Sequence, residues 1–279
     1  MAQKIKRKQS LHQRMKNNSK FQAVMTVVLP VLFGVGLIGL WEGQVLHKWF
    51  HTDTFALPLP SRICQIFGDN FGKIMENVKP TMTVALIGLF LGSVLGYMIA
   101  VLAAFFPKLG KGGLSLIGAF ASIPVVALAP VMNNWTKDVS PDASTRSMVA
   151  KIIVVMLISA ANMSLNAYRG LTELKPYSED LMATYAAKKG KTLVKLRLPN
   201  SVPYIFVALR VSVPASIMTT IVSEYFAEYI TGVGRQIREC IVLAQYATAW
   251  AYIFMACILG IVMYVALMLA QSILLRRYH

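Results

Sequence analysis

Arg210, Ser212, Ser216, Thr219, Thr220 and Ser223 interrupt an apolar stretch that spans residues 200–223, and Glu224 follows it. The hydroxyls recur at roughly helical spacing and lead to Glu224. Such a stripe suits one of two jobs, lining a water-filled path or making hydrogen bonds between helices, the latter worth only about 0.6–2 kcal/mol each in lipid. Arg210 precedes Ser212 by two residues, so it faces another way. Three roles are open to it: meeting an anionic substrate, pairing with Glu224 or Glu228 of a neighbouring subunit, or snorkelling to a membrane surface.

Covalent chemistry has little support. The sequence holds no HExxH, no GxSxG, no phosphate-cradling glycine loop and no Walker A segment. His12, His47, His51 and His279 lie in tails or loops at no ligand spacing, which favours solvated side chains over a metal site. Cys64, Cys240 and Cys257 are scattered and read as small apolar residues. The chain is therefore not expected to be an enzyme, to hydrolyse ATP itself or to hold a cofactor or metal.

The second chemically distinct stretch runs DLMATYAAKKGKTLVKLRLP from Asp180 to Pro199. Glu179 and Asp180 open a short helical run, where negative charge suits the helix dipole. Leu181, Met182 and Tyr185 follow on one face, and Lys188, Lys189 and Lys191 come after. The apolar face has nothing in its own loop to cover it, so it meets lipid or a partner's groove.

The elements that position these residues are set by lipid. Of 279 residues, 56% are hydrophobic and 14% are charged, against about 25% charged in soluble domains. The apolar residues form six blocks, 21–46, 80–106, 113–135, 148–170, 200–223 and 249–275, each near the roughly 20 residues that cross a bilayer as a helix. The fold expected is all-α, with about six transmembrane helices. The first block is too long for a signal-peptide core, so it is read as a retained helix. The net charge of +16 lies in loops and tails, with no basic segment interleaved with aromatics as nucleic-acid binding would need.

Lys and Arg fix the orientation. Eighteen lie in the 1–20 tail, the 107–112 loop, the 169–199 segment and the C-terminal end, and nine lie in the alternate segments. The bias places both termini in the cytoplasm. The organisation expected is a basic tail (1–20), a first helix (21–46), an external segment (47–79) with an extended Leu57-Pro58-Leu59-Pro60-Ser61, a core (80–275) and a short cytoplasmic end (276–279). Segment 136–147 is polar and external. Loop 171–199, bounded by Pro176 and Pro199, is long enough to be functional.

Gly88, Gly92 and Gly96 make a GxxxGxxxG face that admits a second helix closely, as a sliding or a static seam. Pro124 and Pro130 open the third block locally, which marks either a transport path or ordinary membrane-helix proline.

The 180–199 stretch resembles the coupling loop, or EAA loop, of binding-protein-dependent ABC importer permeases. Asp180 holds the acidic position of that pattern, and Leu196, Leu198 and Pro199 fall at its end. Leu181 and Met182 replace its small pair, and Ala186 replaces its glycine. A positive φ at Ala186 would cost on the order of 1 kcal/mol, so the helix is expected to run on past it and bend at Gly190. LPLPS at 57–61, SIPVVALAPVMNNW at 122–135 and TGVGRQI at 231–237 resemble segments of the nitrate, sulfonate and taurine group of these permeases.

The resemblance implies a type-1 importer permease fold in a bacterial inner membrane. It implies a cytoplasmic ATPase dimer, holding ATP and Mg, docked on coupling helices at about 178–192. It implies a second permease subunit, here a second copy, and an external binding protein that delivers a small solute. The solute would be an anion such as nitrate, a sulfonate or taurine, or a vitamin precursor. The coupling residues implied are Glu179, Asp180, Leu181, Met182, Tyr185, Ala186, Gly190, Leu196 and Pro199. Arg210 and the 212–224 stripe are the pathway candidates. The competing readings are a gradient-driven transporter or channel, which would show internal repeats and paired membrane charges, and a membrane enzyme or scaffold.

Overall fold

A computed structural model describes residues 19–275 apart from 228 and 230. The basic run before residue 19, Glu228, Arg276, Arg277, His12 and His279 lie outside the described residues. Every regular element among the described residues is helical, and the chain divides into two units after Gln65.

The first unit holds α1 (Ser19–Glu42), α2 (Val45–Phe50) and the start of α3 (Pro60–Asp69). α1 presents large apolar side chains outward, with Leu29 and Phe33 about two-thirds exposed, as a helix surrounded by lipid does. Pro60 takes the first position of α3, where its missing N–H costs nothing. Glu42 then accepts from the Ser61 amide at 3.0 Å and the Ser61 hydroxyl at 2.7 Å. A carboxylate on one helix thus satisfies the open first turn of another. His47 is buried and its Nε2 bonds the Leu57 carbonyl at 2.6 Å, which corrects the expectation of a solvated histidine. The external segment 47–79 is correspondingly less extended than its composition suggests. Leu57, Pro58 and Leu59 are irregular, but helix resumes at Pro60.

The second unit carries α4 (Phe71–Phe105), α5 (Pro107–Ala121), α6 (Val125–Trp135), α7 (Ala143–Thr172), α8 (Ser178–Thr184), α9 (Lys189–Thr192), a π-helical turn (Leu193–Arg197), α10 (Leu198–Tyr225), α11 (Val233–Val242) and α12 (Tyr246–Leu274). α4 begins nine residues before the apolar block, because a helix has no reason to stop where lipid does; Pro80 sits inside it. α7 likewise begins in the polar 136–147 segment. Asp142 caps it, accepting from the Thr145 amide at 2.8 Å and the Thr145 hydroxyl at 2.7 Å. Those bonds hold the Asp142 carboxyl below its ordinary pKa.

Five helical stretches among the described residues are long and apolar enough to cross a membrane: Val24–Glu42, Phe71–Phe105, Ala143–Thr172, Lys189–Tyr225 and Tyr246–Leu274. The block 113–135 is not a sixth continuous helix. It breaks at Ser122-Ile123-Pro124, where Pro124 is extended (φ −60°, ψ 127°) and starts α6. Proline disfavours helical backbone in the residue before it, and here two half-helices replace one rod. α5 packs on α4 and α7, and α6 packs on α7 and α10.

α7 is the central element, packed along both α4 and α10. The glycine face makes this contact close. A Cβ on Gly88 would sit 2.6 Å from the Val155 Cβ, and one on Gly96 would sit 2.9 Å from the Met163 Cβ. One on Gly92 would meet the Ser159 Cβ at 2.7 Å and overlap the Met156 carbonyl. Further toward the cytoplasm Ala100, Ala104, Met163, Ala167, Leu171 and Ala208 form a core of mostly small residues, so α4, α7 and α10 approach with little side chain between them.

Candidate functional site

The coupling loop is built on two short helices and a turn. α8 opens with Glu179 and Asp180 in its first turn. Tyr177, Leu181 and Tyr185 are four residues apart and strongly exposed, at 82%, 58% and 74%. Leu181 lies within α8, Tyr177 (φ 63°) and Tyr185 stand at its N- and C-terminal caps, and Met182 is partly covered. The sequence pattern placed Leu181, Met182 and Tyr185 on one face; Leu181 and Tyr185 are exposed, Met182 is not fully so, and Tyr177 was missed.

The structure corrects the expectation for Ala186. α8 stops at Thr184, and Ala186 has φ +49°. The Ala187 amide reaches back to the Met182 carbonyl at 3.0 Å and the Ala186 amide to the Ala183 carbonyl at 2.8 Å. This is a Schellman termination with alanine in the left-handed position that glycine usually fills. Gly190 lies instead inside α9, with open space around it. The helix does not run on because Lys188 is extended (φ −66°, ψ 155°) and starts α9 afresh.

The loop is tied to the membrane helices at its base. The Arg197 guanidinium donates to Glu179 at 2.6 Å and to the Ala104 carbonyl, at the end of α4, at 3.1 Å. Asn200 donates to the carbonyls of Gly170 at 2.7 Å and Glu173 at 3.1 Å. Leu193 and Leu198 pack on the small-residue core. Leu196 is half-buried in the π-helical turn, and Pro199 is exposed at the start of α10. A cleft of about 250 Å³ lies behind α8, lined by residues that include Phe105, Ala183, Leu193 and Arg197. Asp180 is exposed. Arg197 and Asn200 were not picked out from sequence; a lone arginine or asparagine at a helix start carries no pattern.

The pathway candidates are placed differently from the sequence expectation. Ser212, Ser216, Thr219, Thr220, Ser223 and Glu224 are all buried in the chain's own interior. Ser216 bonds the Val213 carbonyl at 2.7 Å and Thr220 the Ser216 carbonyl at 2.8 Å. In this conformation the stripe faces protein rather than open volume. Pro203, Val207, Val211, Pro214 and Met218 form the exposed face of α10 instead.

Arg210 is half-buried, and its Nε donates to the Gln271 Oε1 at 2.9 Å. Gln271 sits in the last turn of α12, toward the cytoplasm. Of the three roles open to Arg210, this geometry matches a guanidinium reaching toward the cytoplasmic surface, with an amide partner on its own chain.

Glu224 anchors a second cluster at the extracytoplasmic ends. It is fully buried and accepts from the Thr81 hydroxyl of α4 at 2.9 and 3.0 Å and from the Gly234 amide of α11 at 2.9 Å. Thr81 in turn accepts from the Val233 amide at 2.9 Å, and Asn77 accepts from the Gly232 amide at 3.2 Å. Lys151 of α7, also buried, interacts electrostatically with Glu224. Gly232 has φ +105°, and a Cβ there would overlap the Glu224 carboxylate. The Gly-x-Gly of TGVGRQI is thus explained by close approach; Thr81 and Asn77 carried no sequence signal.

A bundle of long apolar helices packed on α7, with one apolar block broken at Pro124, defines a multi-helix membrane protein. The chain belongs to the family of binding-protein-dependent transport system inner membrane components, whose model matches residues 73–279. It is a permease component of an ABC importer and a multi-pass protein of the inner membrane. It is 26% identical over 247 residues to the formylaminopyrimidine transport permease protein ThiX of Halalkalibacterium halodurans, covering 88% of this chain and 94% of that one. It is 24% identical over 197 residues to a probable ABC transporter permease protein of Haemophilus influenzae, covering 70% and 76%. Among solved structures it is similar to a bacterial ABC transporter involved in the import of the acidic polysaccharide alginate, with TM-score 0.60, 14% identity and coverage of 94% and 98%. It is also similar to a bacterial alginate ABC transporter in complex with its oligosaccharide-bound periplasmic protein, with TM-score 0.59, 15% identity and coverage of 97% and 98%. At these identities the solved structures share the fold.

Proposed function

We propose that this chain forms, with a second copy of itself, the membrane path of an ATP-driven importer. A cytoplasmic ATPase dimer docks on Tyr177, Leu181 and Tyr185. The observation that carries this reading is a set of exposed large side chains at α8, Leu181 within it and Tyr177 and Tyr185 at its two ends, on a helix that Arg197 ties to the membrane core. An apolar helix face left open in the cytoplasm suits a partner's groove. ATP and Mg are bound by the partner, and its closure pushes α8. An extracytoplasmic binding protein delivers the solute.

The solute proposed is a vitamin precursor of the aminopyrimidine kind. The likeness to the formylaminopyrimidine permease supports it, since that likeness runs over most of both chains. A small anion such as nitrate, a sulfonate or taurine is the other member of the proposed range. The path itself is proposed to run along the exposed face of α10 between the two copies. The 212–224 stripe and Arg210 then act from behind, as the seam on which α10 shifts.

The test is a gentle detergent purification from the native membrane with mass spectrometry of the retained partners, followed by reconstitution. Recovery of a P-loop ATPase and a binding protein, with ATP-dependent import of the ligand that the binding protein holds, is the expected result. Import that proceeds without ATP and follows a sodium or proton gradient overturns the reading in favour of a secondary transporter or channel.

A further inference from the structure

α10 is one continuous helix of 28 residues, about 42 Å long at roughly 1.5 Å per residue. Both its ends are fastened. At the cytoplasmic end Arg197 and Asn200 bind it to α8, to the end of α4 and to the end of α7. At the extracytoplasmic end Glu224 binds it to α4 and α11. The stripe between them makes only local backbone bonds, at Ser216 and Thr220.

The extracytoplasmic fastening has an unusual source. The first amides of a helix have no partner inside it. In α11 they are satisfied from two other helices, the Gly234 amide by Glu224 of α10 and the Val233 amide by Thr81 of α4. The carboxylate also sits at the positive end of the α11 dipole. No atom separates it from the turn: a Cβ on Gly232 would lie 2.6 Å from the Glu224 Oε2, and one on Gly234 would lie 2.9 Å from the Glu224 Cβ. Hydrogen bonds to a buried carboxyl group, with no water to compete, are strong and resist stretching. Arg235 tightens the same turn, donating to the Ala227 carbonyl at 3.0 Å and pairing with Glu239 at 2.8 Å. The far end of α11 exposes Ile241, Val242 and Leu243, while Ile237 and Cys240 are buried and the helix packs on α12 as well as on α10.

We propose that Glu224, with Thr81, is the clamp through which α10 passes movement of the coupling loop to α11 at the extracytoplasmic face. Glu224 is a positioning residue: it touches no solute and acts through the Gly232–Gly234 turn. The proposal rests on the ATP-driven reading above and adds the element that joins the two faces. It assigns the glycines of the turn a role in coupling, because only their absent side chains let the carboxylate reach the amides.

The test uses the complete transporter, with its ATPase and binding protein, in proteoliposomes. Thr81→Val keeps the side-chain volume and removes the hydroxyl that serves both Glu224 and Val233; Thr81→Ser keeps the hydroxyl. The readout is ATP hydrolysed per solute imported, beside the amount of assembled complex. Loss of a hydrogen bond to the buried Glu224 carboxyl is expected to raise that ratio roughly tenfold in Thr81→Val, with assembly and basal ATP hydrolysis within about twofold of wild type and Thr81→Ser restoring the ratio. An unchanged ratio in Thr81→Val overturns the proposal. So does a proportional loss of assembly, hydrolysis and import, which marks a purely structural contact. Glu224→Gln, which keeps the shape and removes the charge, is measured the same way and must shift the ratio in the same direction. A wild-type complex that fails to import with ATP counts against the parent reading alone.

Discussion

Arg197 joins Glu179 to Ala104: one guanidinium donates to the Glu179 carboxylate at 2.6 Å and to the Ala104 carbonyl near the end of α4 at 3.1 Å. The docking helix is therefore not a free loop. Its first turn is braced against the end of α4, the 35-residue helix that also carries Thr81.

Removing that brace should loosen the docking helix without removing its docking face. Arg197→Ala is expected to weaken binding of the ATPase by roughly threefold to tenfold, since exposed pairs are worth at most about 1 kcal/mol and the carbonyl bond adds a similar amount. Arg197→Lys should recover part of this, because a point charge cannot serve both acceptors as the guanidinium fork does. Titration of the ATPase onto the permease in nanodiscs measures it, and equal affinities for wild type and Arg197→Ala contradict the brace.

Ala186 holds a conformation that costs alanine on the order of 1 kcal/mol. Ala186→Gly is expected to stabilise the end of α8 by about that amount and Ala186→Val to destabilise it, the β-branch being worse at positive φ. Tryptic cleavage at Lys188 and Lys189 in inside-out vesicles reports it: slower for glycine, faster for valine. Identical rates for all three would mean that the left-handed turn is not populated.

The glycine seam predicts a graded response. Gly92→Ala places a Cβ against the Met156 carbonyl and Ser159, and is expected to cost about 1–3 kcal/mol as α4 and α7 are forced apart. Gly34→Ala, where nothing lies within 4 Å, is the control and should leave stability unchanged. Thermal denaturation in mild detergent separates the two, and equal midpoints would sink the close-packed seam.

Gln271→Leu leaves the Arg210 guanidinium short of a partner in the membrane. The expected cost is about 1–3 kcal/mol, with Arg210→Leu/Gln271→Leu recovering most of it because both polar partners are then gone. The same denaturation measurement, run as a double-mutant cycle, tests the pair. A double variant no more stable than Gln271→Leu alone contradicts it.

Periodicity and charge were enough to place four of the helices within a few residues, because lipid leaves no alternative to helix for long apolar runs. They were not enough at Pro124. A proline inside an apolar block is compatible with a kink, a break or no change, and only packing of α5 and α6 on different neighbours decides for a break. The exposure of Leu181 and Tyr185 was legible from the apolar residues of a short run with nothing in its own loop to cover them. The termination of that run was not, since Ala186 has no intrinsic preference for positive φ, and the extended Lys188 imposes it. The Ser212–Glu224 stripe was visible as a pattern, but a stripe that lines a path and one that packs inside look alike along the chain. Thr81 and Gly234 lie 143 and 10 residues from Glu224, and nothing in spacing links them.

The central claim is that Tyr177, Leu181 and Tyr185 seat an ATPase. The most direct measurement is co-purification of the ATPase with wild-type chain and with Leu181→Asp, both first shown to be inserted in the membrane in equal amount. Burying an unpaired carboxylate in a docking groove should reduce retention of the ATPase by tenfold or more, on the order of 2 kcal/mol. Equal retention on Leu181→Asp would contradict the account, because a face that tolerates a charge at its centre is not the one a partner covers.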